Sequence, residues 1–179
     1  MTKEELGQLY PIAVRPYNPE WKDYYKKEIQ YLNNLFESEL LAEHIGSTAI
    51  EGLSAKPTID IAIEKPNSIS DSIIVEILSR NGYTHMVEVT DHLTFVKGYS
   101  PTGLEDISYH IHMIDINSDW CKDRVYFRNY LNQNIEYRNE YQKLKEQLAE
   151  QFRNDREAYT AAKASFVIKV TEEAKKVLQ

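Results

Sequence analysis

The chain has 179 residues and an apolar fraction of 42%, enough for one compact domain with a sizeable core and a helical extension. Its net charge of −7, with scattered lysines interleaved among glutamates, argues against a nucleic-acid polymer as partner, because such binders present a basic stripe to the phosphate backbone. A single cysteine, Cys121, excludes an internal disulfide framework and any multi-cysteine metal site; with no signal-peptide pattern and no long apolar run, the expectation is a cytoplasmic protein without a membrane partner.

Residues 1–17 read as an entry segment with a short extended piece at Ile12–Val14. Asn18-Pro19-Glu20 has the composition of a helix start, and Trp21, Tyr25, Ile29, Leu32 and Phe36 follow at helical spacing, which predicts a helix to about Ser38. Leu40–Ile45 and Thr58–Ile63 are predicted strands. In the second, Ile59, Ile61 and Ile63 share one face, while Thr58, Asp60 and Ala62 share the other. Ser70–Asn81 is a predicted helix ended by Gly82. Tyr83–Val89 and His92–Lys97 are predicted strands joined by a tight turn at Thr90-Asp91. Gly98–Gly103 reads as a loop.

Asp106–Ile114 alternates throughout: Ile107, Tyr109, Ile111 and Met113 on one face, Asp106, Ser108, His110 and His112 on the other. About three helices follow Ser118. Their apolar stripes are Trp120 to Leu131, Tyr137 to Phe152, and Tyr159 to Val177. The Lys143–Glu150 run reads as a solvated helix face without chemistry. The expected organisation is one domain over 1–179, with a core at about 10–118 and C-terminal helices at about 119–178. No repeat or long linker interrupts it.

Chemistry concentrates between His44 and Ile63. Gly46-Ser47 is a turn between a strand and a helical segment, where glycine lets backbone amides approach a phosphate and Ser47 and Thr48 add hydroxyls. Asp60 lies on the strand face opposite three isoleucines, where a carboxylate needs water, a cation or a donor. His110 and His112 share a polar strand face and can converge on one ion or one anionic group. His44 adjoins the turn and either orients it or touches a ligand. Lys56, Lys97 and Arg128 are candidate phosphate cations, each with a solvated surface charge as the plainer alternative.

The pattern from His44 through Gly46-Ser47-Thr48-Ala49, Gly52-Leu53, Ala55-Lys56-Pro57 and Ile59-Asp60-Ile61 closely resembles the GrpB family of the nucleotidyltransferase superfamily. The resemblance continues through Phe95-Val96-Lys97-Gly98, His110-Ile111-His112, Trp120, Phe127-Arg128-Asn129-Tyr130-Leu131, Tyr141, Leu144-Lys145, Leu148-Ala149 and the tail Lys163 to Phe166. It covers roughly residues 10–175. It implies an α/β (α+β) fold: a nucleotidyltransferase-like mixed sheet with helices packed mainly on one face and a helical C-terminal part. It also implies that the Gly-Ser turn holds a nucleotide triphosphate and that an Asp-hydrophobic-acid pair plus a later acid bind divalent metal.

Gly46, Ser47 and Asp60 match that pattern. Four residues depart from it: Ala62 takes the place of the second carboxylate, His110 and His112 stand where the later acid is expected, and Glu51 stands where relatives commonly have proline. Glu64 shares the Asp60 face but lies about 13 Å along the strand. The expected cofactor is a divalent metal, magnesium or manganese, with zinc or iron suited to the imidazoles. The expected ligand is a nucleotide or another small phosphate compound. Asp60, His110 and His112 are the candidate catalytic and metal residues; His44, Gly46, Ser47, Thr48, Lys56, Lys97 and Arg128 are the candidate ligand contacts. Three functions stay open: nucleotidyl transfer to an acceptor, a degenerate nucleotide- or metabolite-binding module, and a metal-dependent hydrolase.

Overall fold

Period-two alternation and helical stripes build a five-stranded sheet flanked by helices. The computed structural model describes residues 2–89 and 91–178, apart from the side chains of Lys3 and Leu178. In chain order the elements are α1 (Lys3–Leu9), α2 (Trp21–Phe36), β1 (Ala42–Ile45), a single 3-10 turn (Ser47–Ala49), β2 (Thr58–Glu64), α3 (Asp71–Arg80), β3 (Thr84–His85), β4 (Leu93–Ser100), β5 (Gly103–Ile114), α4 (Asp119–Gln133), α5 (Ile135–Gln151) and α6 (Arg156–Leu178). The strand order is β1-β2-β5-β4-β3. β2 and β5 run parallel at the centre, and every other pairing is antiparallel.

The isoleucines of β2 explain the main core. Ile59, Ile61 and Ile63 join Phe95, Ile111 and Met113 on one sheet face, with Trp21, Leu32 and Phe36 of α2 and Ile74 and Leu78 of α3 packed over them. Each such fully buried side chain contributes roughly 1.5–3 kcal/mol. The opposite face is capped at one end by α4, where Ile45, Ala62 and Cys121 pack together. The C-terminal helices make a second core from Phe127, Leu131, Tyr141, Val170 and Ala174, closed by Ile50 and Leu53 from the segment after the 3-10 turn. That second core fixes the Gly46-Ser47 turn against α4 to α6. No helix among the described residues is long and apolar enough to cross a membrane.

Several local expectations change. The entry segment carries α1, held by a capping box in which Thr2 accepts from the Glu5 amide and Glu5 accepts from the Thr2 amide. The extended piece at Ile12–Val14 is not a strand; the chain there contributes one bridge, Arg15 to Ala55. Pro19 lies in a turn before α2, and the helix ends at Glu37, which adopts a left-handed conformation (φ 49°). The strand expected at Tyr83–Val89 shrinks to two residues, and the following turn falls partly outside the described residues, at Thr90.

The loop expected at Gly98–Gly103 is instead the continuous β4–β5 hairpin, with a bulge between Lys97 and Tyr99. Gly98 makes the bulge feasible: its φ is +88°, and a Cβ there would lie 2.6 Å from the Ile107 carbonyl. The register shifts there from Lys97 opposite Tyr109 to Tyr99 opposite Leu104, which moves Tyr99 onto the His110 face that strict alternation would have denied it.

Candidate functional site

The parallel register of β2 and β5 sets Asp60 beside His110 and Ala62 beside His112. Since neighbouring strands lie about 4.8 Å apart, one carboxylate and two imidazoles meet on a single sheet face. One ligand atom from each of Asp60, His110 and His112 falls within 4.8 Å of the other two. Asp60 Oδ1 lies 3.1 Å from His110 Nδ1, and both side chains are about one-quarter exposed.

Gly46 gives this carboxylate its room. It has φ +74°, and a Cβ on it would come 2.4 Å from Asp60 Oδ2. The 3-10 turn begins immediately afterwards, and its first bond runs from the Ala49 amide to the Gly46 carbonyl. Ser47 is half-buried beside a cleft of about 400 Å³ lined by Gly46, Arg124, Phe127, Tyr141 and Thr171, among others.

A chain of hydrogen bonds fixes His110. Arg156 Nη1 donates to the Tyr99 hydroxyl at 3.0 Å, so that oxygen's own proton is free to reach His110 Nε2 at 2.8 Å. His110 Nδ1–H then faces Asp60. A metal bound through Nδ1 would displace that proton to Nε2, where the Tyr99 oxygen accepts it.

His112 is fixed from the other side. Its Nδ1 lies 3.1 Å from His92 Nε2 and 3.4 Å from Thr94 Oγ1. Trp120 packs against both rings, with centroids 4.7 Å from His92 and 4.9 Å from His112. Arg124 stacks over Trp120 at 3.4 Å. Nδ1 is thereby engaged, leaving Nε2 as the nitrogen for a ligand. With Nδ1–H donating to His92 Nε2, the His92 proton sits on Nδ1, a buried atom without a hydrogen-bond partner, 3.7 Å from Asp91 Oδ2.

Burial lowers the His112 pKa to about 3, against an opposing pull from Asp60, so this imidazole is neutral and able to ligate at ordinary pH. Burial alone would raise Asp60. The hydrogen bond from His110 leads the opposing influences, with Lys56 adding to it, and together they hold the carboxyl below its usual value.

The other predicted residues divide by sheet face. Lys56 is half-buried near Asp60; burial and the neighbouring Arg156 lower its pKa to about 8. Thr48 is buried and commits its hydroxyl to the Thr58 carbonyl at 2.9 Å. It therefore accepts from His44 Nε2 at 3.1 Å. His44 pairs in register with Ile61 and stacks on Tyr25 of α2, so it lies on the isoleucine face and braces the turn from behind.

Lys97 pairs in register with Tyr109 on that same isoleucine face, away from Asp60. Its ammonium bonds the buried Glu28 at 2.9 Å and sits about 5 Å from the rings of Tyr31, Tyr83 and Tyr109. Arg128 is likewise committed: its Nη1 donates to Glu43 Oε2 and to the His44 carbonyl, both at 2.7 Å. The phosphate contacts expected of Lys97 and Arg128 are thus replaced by internal pairings. Thr48 and His44 support the turn without reaching the cleft.

Sequence reading missed Tyr99, His92, Arg156, Lys145 and Lys163. The bulge hid Tyr99, and His92 lies one residue before β4, just outside the register that pairs Thr94 with His112. Lys145, read as part of a solvated face, is instead 2% exposed, with its ammonium donating to the Ser54 carbonyl. The expected stripe to Val177 stops short as well, since Val177 is exposed.

A donor set of one carboxylate and two neutral imidazoles fits a divalent transition ion such as manganese, iron or zinc better than magnesium, which wants oxygen ligands. Among the described residues, no second carboxylate joins the three ligands. Ala62 is fully buried against Ile45 and Cys121, and Glu64 Oε2 is occupied by the Ile116 amide at 2.7 Å. The geometry is that of a candidate site for a single ion.

Comparisons with known proteins agree with this architecture. The chain is 33% identical over 169 residues to glutamate-rich protein GrpB of Alkalihalophilus pseudofirmus, covering 90% of this chain and 95% of that one. It is 31% identical over 174 residues to the UPF0157 protein YqkA of Bacillus subtilis, covering 94% of this chain and about half (49%) of that protein. The crystal structure of GrpB from Enterococcus faecalis matches with a TM-score of 0.78 at 28% identity, over 93% of this chain and all of that one. A chain of the GLD-2/RNP-8 complex matches with a TM-score of 0.57 at 14% identity, over 87% of this chain and 59% of that one, a likeness of fold alone. The GrpB protein family profile matches residues 11–173. On this evidence the chain belongs to the GrpB family.

Proposed function

We propose that the protein binds one divalent transition ion through Asp60, His110 and His112 and holds a nucleotide triphosphate beside it, with nucleotidyl transfer to an acceptor as the activity. The observation that carries this reading is the convergence of three ligand atoms within 4.8 Å, directly against the Gly46-Ser47 turn. The ion would be the Lewis acid at the phosphate chain. Ser47 would orient a phosphate oxygen through its hydroxyl, and the half-buried Lys56 would neutralise charge. Tyr99 and His92 would hold the two imidazoles in the tautomers a metal needs.

A second reading keeps the same ligands without turnover. It is favoured by one feature: the buried Ala62 where two-metal transfer would use a carboxylate. Calorimetric titration separates the readings. Manganese is expected to bind with a stoichiometry of one, and Asp60→Asn or His112→Ala to weaken it by at least about tenfold. ATP, CTP, GTP and UTP are then titrated into the manganese-loaded protein. Binding with pyrophosphate release supports transfer; binding without release supports the second reading. Absence of binding by all four contradicts both.

A further inference from the structure

Behind Asp60 the C-terminal helices bring together four cations, none of them among the three ligand residues of the metal site. Lys56 enters from the segment before β2, Lys145 from α5, and Arg156 and Lys163 from α6. The ring of Tyr159, itself 1% exposed, is their common post: Lys56 Nζ lies 5.5 Å and Lys163 Nζ 4.1 Å from its centroid. Lys145 Nζ lies 4.9 Å from the neighbouring Tyr141 ring, and Tyr141 lines the cleft at Ser47. Arg156 and Lys56 line one small cavity of about 70 Å³.

Neutralisation within the fold is incomplete: Asp60 attracts Lys56 and Lys163, and Glu146 attracts Lys145, but burial and repulsion outweigh them. Among the described residues, no carboxylate lies within ion-pair distance (4.0 Å) of Lys56, Lys145 or Lys163, whereas Lys97 has one and Lys175 two. The internal contacts they do have are the Ser54 carbonyl and tyrosine faces. Burial and mutual repulsion lower Lys145 to about 7, with Lys163 its nearest opponent, and lower Lys163 and Lys56 to about 8.

An amine whose folded pKa lies below its unfolded value costs folding stability at neutral pH. Three lysines held at such cost beside Arg156, in a chain of net charge −7, call for an anion of high charge density. Phosphate oxygens answer both needs, accepting several charge-assisted hydrogen bonds at once.

We infer that Lys56, Lys145, Lys163 and Arg156 form a polyphosphate-binding basin that takes pyrophosphate, triphosphate or the phosphate tail of a nucleotide without help from metal. The basin extends the site proposed above and rests on that reading only for the nucleoside; its anion binding stands apart from the ion at Asp60. Occupancy offsets the buried positive charge, so the ligand-free protein is expected to be less stable than the loaded one. Removing a lysine is expected to stabilise the empty protein while destroying the site.

The test is thermal unfolding of the full chain in EDTA with inorganic pyrophosphate, inorganic triphosphate or ATP. Pyrophosphate and triphosphate are expected to raise the unfolding temperature, more than equimolar orthophosphate does. A larger shift with ATP than with triphosphate identifies a nucleotide as the source; equal shifts identify the free polyanion. Lys163→Met and Lys56→Met should each raise the ligand-free unfolding temperature and weaken pyrophosphate by at least about tenfold. Asp60→Asn should lose manganese yet keep the pyrophosphate shift, which separates this basin from the metal reading. No shift in EDTA, or an unaltered shift in the Lys56→Met, Lys163→Met double variant, overturns the inference.

Discussion

At the scale of single residues, the site depends on which ring nitrogens carry protons. His112 keeps Nε2 available as a ligand atom because Nδ1 is held 3.1 Å from His92 Nε2. His92→Leu removes that acceptor and leaves the Nδ1 proton to the more distant Thr94. Manganese affinity is expected to fall by about 10- to 100-fold, the usual cost of losing a partner behind a ligating histidine. His92→Gln, whose amide oxygen can accept from Nδ1–H, should recover most of that loss. Comparable circular dichroism and unfolding temperature in both variants would tie the effect to ligand orientation; equal affinity in His92→Leu and the parent would refute the assignment.

Asp60, His110 and His112 were legible as single letters because each sits on the polar face of an alternating strand. Their supporters were not. Nothing in the local sequence marks Lys145 as buried, since its α5 neighbours are charged and the carbonyl it satisfies is 91 positions away, at Ser54.

At the scale of elements, the two faces of the sheet do different work, and Lys97 is the residue that tests the division. Its alternation with Phe95 places it on the isoleucine face, where it neutralises Glu28, itself 7% exposed. Lys97→Met leaves that carboxylate with the Tyr83 hydroxyl alone. The expected cost is about 2 kcal/mol, below the range for fully buried pairs because the Lys97 side chain is 30% exposed. Urea unfolding measures it. Manganese affinity should stay unchanged; a loss of affinity without a loss of stability would put Lys97 in the cleft instead.

The element boundaries that sequence missed share one cause. β4 and β5 extend through Gly98–Gly103 because a single bulge absorbs a register shift, and residue composition there resembles a loop. The central strands were readable because uninterrupted alternation in Thr58–Ile63 and Asp106–Ile114 admits no other structure.

At the scale of the whole molecule, the fold brings together parts that lie far apart in the chain. The turn at Gly46, the carboxylate of β2, the imidazoles of β5 and the lysines of α5 and α6 meet because β2 and β5 pair in parallel and the C-terminal helices pack back onto Ile50 and Leu53. The long motif from His44 to Ile61 carried the family and hence the nucleotidyltransferase-like architecture. Two things were absent from it: the parallel pairing that sets Asp60 beside His110, and the packing of α6 that delivers Arg156 to Tyr99. Both are tertiary facts with no local signature. The single-ion arrangement follows from them together with the burial of Ala62, and everything proposed about phosphate chemistry is built around it.

The most direct measurement is anomalous diffraction from crystals soaked in manganese or zinc. The account predicts one peak bonded to an Asp60 carboxylate oxygen, His110 Nδ1 and His112 Nε2, with Tyr99 and His92 still in place behind the imidazoles. An ion held elsewhere, or no ion in a soaked crystal whose cleft is open to solvent, would contradict it.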